Sequence, residues 1–106
     1  MRGVIKGVLA EELENSLRLK KEYEYAIDRL PKGCLSRKKI KGHKYYYLVD
    51  RKEGKLRYSY KGNLPASEVE KYKEIKVARA RYRKLLSRVK KQVKFLRSSL
   101  RGKEAI

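Results

Sequence analysis

Five of the chain's nine tyrosines stand between Lys41 and Gly62, in the stretch KGHKYYYLVDRKEGKLRYSYKG, where lysines and arginines interleave with them. Rings and cations at that density can build a core, stack on bases beside phosphate contacts, or supply a nucleophile. Tyrosine-nucleophile strand cleavage needs an arginine and histidine constellation, and the sequence has only His43. General acid-base work needs paired titratable groups in a pocket. Half of the 12 acids instead lie before residue 30 (Glu11, Glu12, Glu14, Glu22, Glu24 and Asp28), as solvent-facing helix charges would. His43 beside Gly42 reads as a solvated or phosphate-touching imidazole at a turn. Cys34, with no second His/Asp set near it, reads as a small core residue. No repeated Cys/His spacing marks a zinc site. No catalytic residue, metal site or cofactor is therefore assigned.

What the basic side chains do is better defined. The net charge is +19, from 31 lysines and arginines against 12 acids, which points to a polyanionic partner. The excess is +1 over residues 1–33, +8 over 34–63 and +10 over 64–106. Between residues 76 and 103 there are 12 basic side chains and no acid, among them Arg81, Arg83, Lys84, Arg88, Lys90, Lys91 and Lys94. A solvated helix normally offsets such repulsion with acids at i,i+4, so nucleic acid is the expected compensating partner, held through counterion release. Composition suits A-form and B-form partners alike; the expectation taken is DNA rather than RNA. A single cysteine fits a reducing cytoplasm, and the opening MRGVIKGVLAEE lacks the apolar run of a signal peptide. No stretch is long and apolar enough to span a bilayer.

These side chains need elements to position them. At 106 residues, 41% hydrophobic and 41% charged, the chain reads as one small domain with a thin core. Residues 1–7 read as a disordered tail. Over 8–30, Leu9, Leu13, Leu17, Tyr23, Ile27 and Leu30 recur at mostly three or four residues, a helical stripe that LPKG ends. Over 34–61 the period becomes two: CLSRKKI, HKYYYLVDR and KLRYSYK, joined by KG and EG, predict a three-stranded antiparallel meander. Ser67 and Glu70 form the pattern of a capping box and open a long basic helix over 67–101. The predicted fold class is α+β in the order α-β-β-β-α, with steps that let the two helices pair as an antiparallel coiled coil.

Two-residue turns fix the register and sort the sheet by face. Cys34, Ile40, Tyr45, Tyr47, Val49, Leu56, Tyr58 and Tyr60 share one face, expected to cover the helices. Leu35, Arg37, Lys39, Lys44, Tyr46, Leu48, Asp50, Arg57 and Ser59 share the other, expected to be open and basic with Tyr46 at its centre. That open face, through Arg37, Lys39, Lys44, Tyr46 and Arg57, is the expected groove contact.

The second helix carries a seam, Tyr72, Ile75, Arg79, Tyr82, Leu86, Val89, Val93, Leu96 and Leu100, at alternating steps of three and four. A first helix of about 33 Å against a second of about 50 Å would leave the last three turns unpaired. Val89, Val93, Leu96 and Leu100, with Phe95 beside them, are then expected to hold a second copy or a partner protein.

The run PKGCLSRKKIKGHKYYYLVDRKEGKLRYSYKG, followed by EVEKYKE and a long charged helix, resembles a group of small uncharacterised bacterial proteins with a Tyr-Tyr-Tyr-Leu strand and a Gly-Lys hairpin. The likeness covers residues 30–100. Some members carry zinc-like cysteines between the first two strands; their absence here argues against a metal, and the resemblance implies no particular activity. Gly54, Lys55 and Tyr60, in a G-K-x-x-x-x-Y pattern, are also similar to the three-stranded arm-binding domains of phage integrases, which resemble plant AP2 domains. That likeness implies DNA contacts on Arg37, Lys39, Tyr46 and Arg57, although no recombinase domain follows. The expected function is non-enzymatic DNA binding in a bacterium, an archaeon or their mobile elements. The alternative is an adaptor or antitoxin-like subunit that docks an acidic protein through the seam.

Overall fold

Leu30 precedes Pro31, which pushes it out of the α region. The computed structural model, which describes residues 2–104, accordingly ends the first helix, α1, at Arg29. From there the chain forms β1 (Cys34–Ile40), β2 (His43–Lys52) and β3 (Lys55–Gly62), then α2 (Ala66–Glu104). The order is α-β-β-β-α, as the periodicity predicts.

Both hairpin turns hold two residues. Lys41 and Gly42 have φ of 52° and 81°, and Glu53 and Gly54 have 55° and 77°. Positive φ at both central positions is the type I′ signature, whose twist matches the flanking strands. The pairing therefore follows the counted register: Ser36 opposite Tyr47, Lys38 opposite Tyr45, Tyr47 opposite Tyr60 and Val49 opposite Tyr58. A bulge follows, since Tyr46 pairs with Gly62 and leaves Lys61 unmatched.

Two helix boundaries differ from expectation. α1 starts at Arg2, so residues 2–7 are helical rather than a tail; Met1 lies outside the described residues. Ile5 there stands four residues before Leu9 and continues the stripe by spacing, but Gly3 and Gly7 flank it, and Val4 and Ile5 are exposed, so the pattern did not mark this turn and a half. α2 starts at Ala66, and the Pro65 carbonyl accepts from the Glu68 and Val69 amides at 3.0 and 3.2 Å. Pro65 is thus the N-cap, and Ser67 falls inside the first turn rather than capping it.

The chain divides into two compact units. One joins α1 to the residues of α2 from Ala80 onward, and the other holds Leu30–Arg79. In the helical unit the Tyr23 and Tyr82 rings are 6.4 Å apart, and Lys20 shares a groove with Lys90, Val93 and Lys94, so the helices run antiparallel. Val89, Val93 and Leu96 are buried there, as is Ser16 of α1. The unmatched seam is therefore corrected: α1 has 28 residues, about 42 Å, and reaches the last turns of α2. Val89, Val93 and Leu96 are filled within the chain, Leu100 is half-buried, and only Phe95 of that stretch's large apolar residues stays exposed.

Candidate nucleic-acid interface

The sheet face that carries Arg37, Lys39, Lys44, Tyr46 and Arg57 is the one on which the first turns of α2 lie. Tyr46 is 9% exposed, the most buried side chain of the sheet, while Tyr58 and Tyr60 are each 60% exposed. The face assignment is thus inverted. The residues expected together do share a face; α2 covers its centre, so Tyr46 is core rather than a ring open to a ligand, while Arg37, Lys39, Lys44 and Arg57 stay exposed around it.

Counting turns tells which residues are neighbours and leaves open which side is covered. Leu35, Tyr46 and Leu48 supply a small apolar centre, and the long arms of Arg37, Lys39 and Lys44 carry their charges out to water around it. Tyrosine tolerates the opposite, open side because its hydroxyl stays hydrated. A groove of about 580 Å³ on the covered side is lined by Arg37, Lys44 and Tyr46 from the sheet and by Tyr72, Lys73 and Lys76 from α2, with Glu70 among them.

Close packing fixes this arrangement at the entry to β1. Gly33 has φ of 99°, and a Cβ there would stand 3.0 Å from Leu48 Cδ1 and 3.1 Å from the Val49 carbonyl oxygen. Arg79 of α2 donates to the Gly33 carbonyl at 3.3 Å and to the Pro31 carbonyl, with Cys34 Sγ 3.6 Å away. This explains the arginine that interrupts the apolar seam. Cys34 itself is exposed, not the small core residue its position suggested. His43 opens β2 opposite Ile40 rather than sitting in the turn.

The open face presents what sequence reasoning assigned to the core. Tyr47 and Tyr60 have ring centroids 5.3 Å apart, Tyr45 and Tyr60 6.4 Å, and His43 and Tyr45 6.4 Å, all tilted. Lys38 Nζ stands 5.2 Å from the centre of the Tyr47 ring, a cation–π contact. By register this face also carries Ser36, Ile40, Val49, Arg51, Leu56 and Tyr58, and no carboxylate. The signal that could have found it was the absence of acids at these positions, since Asp50 falls on the covered side.

In the helical unit the seam turns inward and the cations of α2 turn outward. Arg81, Arg83, Lys84, Arg88, Lys90, Lys91 and Lys94 are all exposed. Among the described residues none of them takes part in an ion pair; the nearest such pairs are Lys20 with Glu24 at 3.8 Å and Lys71 with Glu68 at 3.5 Å. Lys90, Lys94, Arg97 and Arg101, at steps of four, three and four, line one groove of about 370 Å³ together with Lys20 and Val93. Five cations, of which Lys20 is paired with Glu24, thus surround one valine. Among the described residues, no group of three or more His, Cys, Asp or Glu is placed to hold a metal, and no helix is long and apolar enough to cross a membrane. No protein-family model, curated protein or solved structure matches this chain.

Proposed function

We propose that the protein binds nucleic acid without catalysis, gripping the phosphate backbone with the outward cations of α2, and that DNA is its partner in the cytoplasm of a bacterium, an archaeon or their mobile elements. The observation that carries this reading is the row of exposed cations on α2 from Arg81 to Lys94, none of which takes part in an ion pair among the described residues. A helix whose apolar seam is already filled by α1 has no packing reason to exclude acids from its outer surface. An anionic partner supplies the missing compensation. The likeness to integrase arm-binding domains would have put DNA contacts on Arg37, Lys39, Tyr46 and Arg57. Since Tyr46 is buried, the proposal rests on α2 instead, and the adaptor alternative loses the vacant seam it relied on.

Counterion release gives the test. Affinity for a 20-base-pair duplex, measured by fluorescence anisotropy across a salt series, should fall with a slope of log K against log salt of about −5 if six phosphates are neutralised. The quadruple variant K90Q/K94Q/R97Q/R101Q should lower that slope by roughly 3 to 4. A slope near zero, or no binding at low salt, would sink the reading.

A further inference from the structure

We infer that the open tyrosine face of the sheet is a stacking platform for unpaired bases, so that the nucleic acid recognised includes a single-stranded segment; this rests on the nucleic-acid reading above. The face is built from Tyr45 and Tyr47 on β2 and Tyr58 and Tyr60 on β3, alternate residues about 7 Å apart along each strand. Tyr58 and Tyr60 are each 60% exposed, far more than the sheet needs for its own packing. Leu56 and Ile40 extend the apolar surface at 54% and 49% exposed.

Two features identify the occupant. The first is charge: Lys38, His43 and Arg51 border the rings and no carboxylate shares the face, so an anionic chain is favoured over a typical protein surface. The second is the kind of contact on offer. In a duplex the bases are stacked on each other and present only their edges and the phosphates, which hydrogen-bonding side chains read. Rings at the centre with cations at the border suit bases that lie flat on the tyrosines while their phosphates reach the lysine and arginine. Stacking of this kind tolerates any base, because every base has a π-face. Tyr47 already accepts one cation on its ring, so Lys38 can shift to a phosphate when a base takes that place.

The chain has nine tyrosines and no tryptophan, so its own emission reports on the rings. The experiment titrates the full chain with a 20-nucleotide oligo-dT, and with a duplex of the same length, at one fixed salt concentration. Anisotropy of the labelled DNA and tyrosine emission are read together, and light scattering gives the mass of the protein. The expected result is quenching by oligo-dT and at least tenfold weaker oligo-dT binding in Y58A/Y60A, with duplex affinity within about twofold of the wild type. Y58F/Y60F should restore the oligo-dT affinity, since stacking uses the ring and not the hydroxyl. Circular dichroism checks that the variants fold. Unchanged oligo-dT binding in Y58A/Y60A overturns the inference while leaving the duplex reading intact, as does a protein dimer that Y58A/Y60A abolishes. Absence of binding to either DNA overturns both.

Discussion

Arg79 occupies a place in α2 where the three-four steps call for an apolar side chain, and its guanidinium instead satisfies the carbonyls of Pro31 and Gly33 at the mouth of β1. R79L keeps the bulk and removes the donors, so it should cost about 1–3 kcal/mol in urea denaturation by leaving those carbonyls poorly partnered. The tyrosines separate at the same scale. Y46A should cost about 3–5 kcal/mol, as large-to-small changes in a core do, whereas Y58A should stay within about 1 kcal/mol. Had Tyr46 been the open ring and Tyr58 the core one, the two values would exchange. Alternation in the sequence put Tyr46 with Arg37, Lys39 and Arg57 and put Tyr58 with Val49, and both groupings hold. The covered side was not legible, because a face with three apolar residues inside a ring of long cations looks polar when its residues are counted one by one.

Elements with a local chemical signature were read at nearly their true bounds. The two turns were legible because glycine in their second place permits the positive φ a type I′ turn needs, and the sheet register follows from them. The end of α1 was legible because of Pro31. Its beginning was not: Gly3 and Gly7 look like breakers on either side of Ile5, which alone there continues the four-residue steps of Leu9, Leu13 and Leu17. Missing those six residues made α1 too short, and from that shortfall came the expectation of an unfilled seam. Val93 and Leu96 test the corrected pairing. V93A should cost about 1–3 kcal/mol and L96A about 2–5 kcal/mol in thermal or urea unfolding. If both residues faced only solvent, neither change would exceed about 0.5 kcal/mol.

Across the whole molecule, charge follows position in the chain: nearly neutral through α1, strongly positive afterwards. The basic character was fully legible, since counting needs no structure, and a salt series tests what that charge binds. The discontinuous make-up of the helical unit was not legible, because it depends on which surfaces meet across long separations. That make-up has a consequence for biosynthesis. Leu9, Leu13 and Leu17 leave the ribosome long before Val89, Val93 and Leu96 are made, so the stripe of α1 waits without its partner while the sheet is synthesised. At about 5–20 residues per second the wait is roughly 4–15 s. Six acidic and six basic side chains of α1 flank the stripe through that interval, and charges so placed interrupt the apolar run that would otherwise favour aggregation, although the helix as a whole is neutral.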